Sequence, residues 1–227
     1  EAPIFIAALN KPKPKALPMM EVIVTHFKPF FLGMLICMAG YVLFYIMIAF
    51  SQIYAKSAPT VSEAGYAMGL GFSPQIFTAL LMCSAISLAI TIAISGKYID
   101  IVGRRIWLIW TTVGVALFGL VLPYFLENGT TLSLFWFLII GMGLIGMGYG
   151  PLASFLPELF PTHARYSGAS LTYNIAGLFG ASVAAIIALP LNANYGLKGV
   201  GIYLTLNAVL SLIGLWFITE TRDRQLL

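Results

Sequence analysis

Six long stretches of this chain contain no Asp, Glu, Lys or Arg, and this feature constrains its fold more than any other. A helix needs about 20 mostly apolar residues to cross about 30 Å of hydrocarbon. We call the six stretches spans one to six: residues 30–54, 75–95, 106–126, 132–156, 167–189 and 199–218. Because lipid offers no partners to backbone amides and carbonyls, such stretches are expected to be α-helical. The sequence therefore predicts an all-α membrane protein, with a six-transmembrane-helix bundle over residues 30–218.

The composition excludes several classes of protein. Hydrophobic residues make up 60% of the 227, and Asp, Glu, Lys and Arg only 9%, whereas a soluble domain has about 25% charged residues. So few charges exclude a soluble enzyme, a nucleic-acid-binding domain and a disordered linker. Cys37 and Cys83 lie inside apolar runs and are interpreted as small hydrophobic residues. No catalytic pair, metal cluster or phosphate-binding loop is recognisable, so we expect no enzyme activity, no cofactor and no metal.

The basic residues predict an orientation. If residues 1–29 are placed in the cytoplasm and the spans alternate in direction, only Lys56 and Lys198 of the 12 Lys and Arg residues fall outside. The inside set is Lys11, Lys13, Lys15, Lys28, Lys97, Arg104, Arg105, Arg165, Arg222 and Arg224. This asymmetry follows the positive-inside rule. We therefore predict a multi-pass protein in the lipid bilayer of the cytoplasmic membrane, with both termini in the cytoplasm.

The loop between spans two and three has a regular pattern of glycines and charges. It runs Gly-Lys-Tyr-Ile-Asp-Ile-Val-Gly-Arg-Arg from Gly96 to Arg105, with Gly103 before the two arginines. Glycines allow a tight turn, and we expect Asp100 just before span three, near the positive end of that helix's dipole. Arg104 and Arg105 are expected to bind lipid headgroups or carboxylates on a neighbouring helix. A generic basic turn is the alternative.

A second motif follows span four. It runs Pro-Glu-Leu-Phe-Pro-Thr from Pro157 and is followed by Arg165. Glu158 is placed to pair with Arg104 or Arg105, either as a latch that breaks when a gate opens or as a static surface pair of little energetic weight. His163 stands alone in this motif without a second metal ligand nearby, which predicts a solvated loop residue.

Span four contains a run of glycines that ends at Pro151. Gly146 and Gly150 form a Gly-x-x-x-Gly step, which allows close contact between helices. Pro151 removes a backbone donor and favours a kink. We predict packing and a kink here, and movement of this helix during opening and closing is a further hypothesis.

Tyrosines and amides inside the spans are candidates for contacts with a solute. Hydroxyls and amides in a membrane need partners, and a wet cavity supplies them. The predicted solute-binding residues are Tyr41, Tyr45 and Gln52 on one face of span one, Tyr149 in span four, and Tyr173 and Asn174 in span five. Aromatic rings suit quaternary ammonium groups, whereas tyrosine hydroxyls suit carboxylates. For each residue taken alone, packing between helices is the alternative.

Taken together, the two motifs resemble those of the major facilitator superfamily. In that superfamily the pattern formed by Gly96, Asp100, Gly103 and the two arginines occurs between helices two and three and again between helices eight and nine. The Pro-Glu-Leu-Phe-Pro-Thr motif is similar to that of sugar porters and of the metabolite:proton symporter family. The following residues, 166–174, look closer to the symporter family.

This resemblance implies the C-terminal half, helices seven to twelve, of a twelve-helix major facilitator fold. Residues 1–29 would then be the central loop and residues 219–227 a cytoplasmic tail. The residues expected to act in gating are Gly96, Asp100, Gly103, Arg104, Arg105, Gly150, Pro151, Glu158 and Arg165. A missing N-terminal six-helix half would be the partner, and it would hold the residues for ion coupling, because no carboxylate lies within the six spans.

The function implied is secondary active transport of a small organic solute, an organic acid or an osmolyte, by alternating access and coupled to protons. No nucleic-acid partner is expected. A sugar porter is the alternative within transport. A non-transporting receptor or sensor on the same fold, and a six-helix unit that dimerises into a complete carrier, are alternatives outside it.

Overall fold

The computed structural model describes residues 18–218, and helices joined by short loops account for most of them. The described part begins with a short helix, Pro18–Thr25, at the position where the sequence shows helical potential between two prolines. The basic segment at 11–15 and the tail at 219–227 lie outside the described residues.

The first four spans are helices somewhat longer than the apolar stretches that predict them. Span one contains a π-helical turn between two α-helices, and the remaining three are continuous. Their bounds are Phe27–Tyr45, Ile46–Phe50 and Ser51–Lys56 for span one, Pro74–Val102 for span two, Arg104–Glu127 for span three and Thr131–Glu158 for span four. Span two starts at an N-cap, because the Ser73 hydroxyl accepts a hydrogen bond from the Ile76 amide at 3.3 Å.

Spans five and six form one helical stretch, Arg165–Phe217, of 53 residues. At 1.5 Å per residue this stretch is about 80 Å long, enough for two crossings of the hydrocarbon. Its parts are Arg165–Gly177, a π-helical turn Leu178–Ser182, and Val183–Phe217. Gly196, with φ of 67°, breaks the last of them and separates the two spans. The span bounds in the sequence predict a loop at 190–198, between spans five and six, and this is wrong, because the helix continues through Pro190 and turns only where glycine permits this backbone.

Spans one and three lie between spans four and six, and spans two and five pack on the outside of this group. Spans one and three contact each other and both contact spans four and six, whereas spans four and six do not touch within the described residues. Span two packs mainly on span four, and span five mainly on span one. Within residues 18–218, spans two and five make no contact with each other. Only 17% of the most apolar window of span two is buried, against 44% for spans one, three and four, so span two presents a large surface without a partner helix.

Spans two and four approach closely at the glycines of span four. A Cβ built on Gly146 would overlap the Thr91 hydroxyl and lie 2.6 Å from the Leu88 carbonyl oxygen. A Cβ on Gly150 would overlap the Ser95 hydroxyl. The predicted Gly-x-x-x-Gly contact is thus confirmed, and the hydroxyl-rich face of span two packs against span four.

Spans one and six are joined by a buried hydroxyl. Ser211 in span six accepts a hydrogen bond from the Ala39 amide at 3.0 Å and donates one to the Leu35 carbonyl at 2.6 Å. The Ser211 side chain is fully buried. It therefore bridges two backbone groups one turn apart in span one, seven residues before the π-helical turn begins at Ile46.

The alternating spans separate the charged residues into two faces. We call the end of the bundle that carries Lys97, Arg104, Arg105 and Arg165 the basic face. The opposite face carries Lys56 and Lys198 in the described residues. This separation is the structural form of the charge asymmetry in the sequence.

The contact between spans two and four leads to a first prediction. Gly146→Ala should lower the free energy of unfolding by about 1–3 kcal/mol, because the added methyl overlaps Thr91 and the Leu88 carbonyl. A denaturant titration of the purified protein measures the change.

Gly40→Ala is the matched control for this prediction. A Cβ on Gly40 meets nothing within 4 Å, so this change should be neutral or stabilise the helix by up to about 1 kcal/mol. Equal effects of the two substitutions would show that Gly146 is not a close-packing position.

Candidate functional site

Three of the predicted solute-binding tyrosines lie around one cavity. Tyr41 from span one, Tyr149 from span four and Tyr173 from span five line an open pocket of about 70 Å³. That volume is well below the roughly 300–1,000 Å³ of an enclosed small-molecule site, so within this chain the three residues form a shallow wall. The Tyr149 side chain is 57% exposed, so the cavity opens to the surface of the bundle. The structure thus brings together aromatic residues from three different spans.

Tyr41 is held in place by the close approach of span five. A Cβ on Gly180 would lie 2.7 Å from the Tyr41 Cβ, and a Cβ on Gly177 would lie 3.5 Å from the Tyr41 ring. Gly180 belongs to the π-helical turn of span five, and π-helical turns are frequent at functional sites. The absence of side chains at these two glycines leaves the room that Tyr41 occupies beside span five.

The other three predicted solute contacts lie outside this cavity. The Tyr45 hydroxyl donates to the Ala185 carbonyl at 3.4 Å and so links spans one and five. Asn174 is exposed, and its amide donates to the Ser170 carbonyl one turn earlier at 2.8 Å. Gln52 is exposed in the helix Ser51–Lys56.

The remaining walls of the cavity come from residues that the sequence reasoning did not select. They are Cys37, Gly40 and Phe44 of span one and Leu152 of span four. Cys37 lies four residues before Tyr41 and Phe44 three residues after it, so these three share one helical face, and Gly40 directly precedes Tyr41. The sequence shows this spacing, but the solute contacts were predicted from polar side chains, which excludes apolar and small residues.

The charged motif on the basic face forms an ion pair. Arg104 at the start of span three contacts Glu158 at the end of span four, one of the two pairings expected from the sequence. Both side chains are largely buried, with 18% and 17% exposed. The Arg104 Nε and the Glu158 Oε2 have no hydrogen-bond partner within residues 18–218. Removing one partner of a pair this buried costs more than breaking an exposed pair, since it leaves an uncompensated buried charge.

Asp100 does not lie where the sequence predicted. Span two continues through Gly96 and ends at Val102, so Asp100 is in its last turn and not at the start of span three. Only Gly103, with φ of 100°, makes the turn. Asp100 lies 3.5 Å from Arg104, and its side chain is 71% exposed. Asp100 therefore adds a weak, solvent-screened contact to the buried pair.

The other residues expected to act in gating have different surroundings. Arg105 donates to the carbonyls of Leu215 and Trp216 at 2.8 and 3.1 Å, which ties the start of span three to the end of span six. The Arg165 Nε is buried without a hydrogen-bond partner in the described part of the chain. Pro151 lies inside the helix Thr131–Glu158.

His163 is not alone, contrary to the prediction. Its Nε2 lies 2.7 Å from a carboxylate oxygen of Glu21 in the short helix Pro18–Thr25. The His26 ring is 6.3 Å from the His163 ring, centroid to centroid. His163 is 142 residues from Glu21 in the sequence, so no local pattern could predict that they meet. The three side chains form a group that could hold a metal ion.

The sequence was then compared with known proteins. The family described as "Sugar (and other) transporter" matches residues 67–227. A protein of Haemophilus influenzae named as a candidate metabolite transport protein is 89% identical over 226 residues, which are 100% of this chain and 51% of that protein. The inner membrane metabolite transport protein YhjE of Escherichia coli is 37% identical over 227 residues, 100% of this chain and 50% of that protein.

A more distant relative is named for its solutes. The ectoine/proline transporter ProP of Corynebacterium glutamicum is 27% identical over 217 residues, 93% of this chain and 40% of that protein. The chain thus spans about half the length, or less, of the curated relatives it matches. No solved structure matches the chain significantly.

The buried ion pair leads to a second prediction. Glu158→Gln and Arg104→Gln should each destabilise the protein, because each leaves the other charge buried and unpaired. The double variant should lose less than the sum of the two, with a coupling energy of about 1–3 kcal/mol in a double-mutant cycle. The free energy of unfolding from a denaturant titration is the measured quantity.

Asp100→Asn provides the control on the same arginine. Because Asp100 is 71% exposed, this change should cost less than about 1 kcal/mol. Additive effects of the Arg104 and Glu158 variants would mean that their contact contributes no coupling.

Proposed function

Because this chain belongs to the sugar (and other) transporter family of the major facilitator superfamily, we propose that it forms one half of a secondary transporter for a small organic solute. In this proposal the six spans are helices seven to twelve of a twelve-helix fold. A second six-helix half, preceding this chain, supplies the other wall of the solute path. The half-length match to relatives named as transport proteins supports this arrangement.

The observation that carries the proposal is the convergence of Tyr41, Tyr149 and Tyr173 on one open cavity. These residues come from spans one, four and five, and the cavity opens on the outside of the six-helix bundle. A solute held there would touch this half on one side and the second half on the other. That is the position of a solute site between two halves that move relative to each other.

The chemistry of the cavity favours a solute with an organic cation or a carboxylate. Three aromatic rings attract a quaternary or secondary ammonium group, at about 0.5–2 kcal/mol per contact. Three phenolic hydroxyls can donate to a carboxylate. Amino-acid osmolytes such as proline carry both groups, and the relatives include a transporter named for ectoine and proline. We therefore propose an osmolyte or organic acid as the solute class.

We assign gating to the basic face. The Arg104–Glu158 pair ties the start of span three to the end of span four, next to the close contact between spans two and four. In this proposal the pair holds the face closed and separates when the transporter opens there. The other residues that we assign to gating, as moving or anchoring positions, are Gly96, Gly103, Arg105, Gly150, Pro151 and Arg165.

Proton coupling and membrane orientation complete the proposal. The six apolar stretches of this chain contain no carboxylate, so in this proposal the proton carrier lies in the second half. The basic face is assigned to the cytoplasm by the positive-inside rule. Both termini of the chain are then cytoplasmic.

A third prediction separates the two modes of solute recognition. Uptake of radiolabelled proline, glycine betaine, α-ketoglutarate and a hexose by cells that express the full-length transporter identifies the solute. If the hydroxyls bind a carboxylate, Tyr→Phe at positions 41, 149 and 173 should each raise KM about tenfold or more, since a hydrogen bond to a charged group contributes about 1.5–3 kcal/mol. If the rings bind an ammonium group, the Phe variants should be tolerated and Tyr→Leu should raise KM.

Tyr124→Phe is the control, because Tyr124 is exposed on span three away from the cavity. It should leave KM unchanged. Unchanged KM in all the Phe and Leu variants at 41, 149 and 173 would remove this cavity from the solute path. Transport of the hexose alone would favour a sugar porter.

A fourth prediction concerns the energy source. A protonophore should abolish accumulation of the solute, because an uncoupled carrier only equilibrates it across the membrane. An imposed inward proton gradient in de-energised vesicles should restore accumulation. Accumulation that does not respond to either treatment would contradict proton symport.

A further inference from the structure

Both histidines of this chain lie in one cluster on the basic face. The sequence contains only two, His26 and His163. One nitrogen of each and a carboxylate oxygen of Glu21 lie within 4.8 Å of one another. Glu21 and His163 are already in contact at 2.7 Å. Residues from the short helix, from the junction before span one, and from the loop after span four therefore point at one small volume.

The donor atoms suit a late transition metal ion. Zn²⁺ binds imidazole nitrogens and carboxylate oxygens, often with three protein ligands and one water. Mg²⁺ and Ca²⁺ prefer oxygen ligands, so two imidazoles disfavour them. Ligand atoms around a tetrahedral Zn²⁺ lie roughly 3.4 Å apart, given bonds of about 2.1 Å. Small side-chain rotations are enough to bring three atoms from within 4.8 Å to this spacing.

The position of the cluster allows an ion to enter and to be held. The His163 side chain is 55% exposed, and that of Glu21 only 20%. Among residues 18–218, the Glu21 carboxylate pairs with His163 and with no Lys or Arg. This carboxylate favours a cation over a phosphate or a lipid headgroup as the occupant.

We propose that Glu21, His26 and His163 form a Zn²⁺ site that joins the short helix Pro18–Thr25 to the loop after span four. An ion pair between Glu21 and His163 would explain the contact between these two residues, but it would not explain why His26 lies beside them. Three ligands around one ion use all three side chains. One ligand, His163, lies five residues after Glu158, the partner of Arg104.

Cobalt binding tests the site directly, because tetrahedral Co²⁺ absorbs visible light and reports on its ligands. The full-length protein is purified in detergent with a tag that contains no histidine, and Co²⁺ is titrated with spectroscopic detection. We expect a site of one Co²⁺ per chain from which stoichiometric Zn²⁺ displaces the cobalt. This measurement does not depend on transport, so its result is independent of the function proposed above.

Substitutions assign the signal to this cluster. Since loss of an outer-shell partner alone weakens metal binding about 10–100-fold, E21Q, H26Q and H163Q should each weaken Co²⁺ binding at least as much. The control E63Q removes a carboxylate that is exposed in the loop between spans one and two, and it should bind Co²⁺ like the parent protein. H163C keeps a zinc ligand at the position, so it should retain the displaceable site and distinguish loss of a ligand from loss of the fold.

Two results would overturn the proposal. One is a cobalt spectrum that none of the three substitutions changes, since the ion would then bind elsewhere. The other is loss of binding in E21Q and H163Q but full retention in H26Q, since the cluster would then not use His26.

Discussion

Close approach of helices at glycines is the constraint on which the rest of this bundle depends. Lipid tails are as apolar as leucine, so apolar side chains alone do not draw spans together inside a membrane. Where glycines lie at the contact between two helices, no side chain separates the helices and their backbones come into van der Waals contact. Span four meets span two at Gly146 and Gly150, and a Cβ on Gly119 of span three would lie 2.7 Å from the Gly201 carbonyl oxygen of span six. These contacts hold span two against span four and span three against span six.

Close approach of helices at glycines also shapes the cavity. Span five approaches Tyr41 of span one at Gly177 and Gly180, so the tyrosine ring fits between two helices and still reaches the open space. Tyr149 reaches that space from span four, beyond the glycine-rich contact with span two. Packing between helices therefore does not prevent these residues from lining an open pocket. Glycines that set the distance between helices also decide which aromatic side chains meet.

The sequence predicts those features that depend on residues close together in the chain. Span number follows from runs without charge, and the Gly146–Gly150 contact follows from a spacing of four. Prediction failed where the outcome depended on a tertiary contact or on a single backbone angle. Pro190 did not end span five, because the chain turns at Gly196, where Tyr66 from a distant loop packs against the glycine. Asp100 lies in the last turn of span two because, of the two glycines in its motif, Gly96 is helical and only Gly103 adopts a positive φ. The site was predicted in part: three tyrosines converge, and three other polar residues lie elsewhere.

The distribution of charge connects the remaining features. Ionised groups are costly in hydrocarbon, and the spans of this chain place theirs at the two ends, so this half offers a solute only rings, hydroxyls and small apolar surfaces. Two charged contacts lie on the basic face. There, Glu158 pairs with Arg104, and five residues later His163 contacts Glu21 of the short helix that leads into span one. The end of span four and the loop after it thus contact both span three and the short helix before span one. In the function proposed above, these two contacts would connect the charged face to spans one and four, two of the three spans whose tyrosines line the cavity.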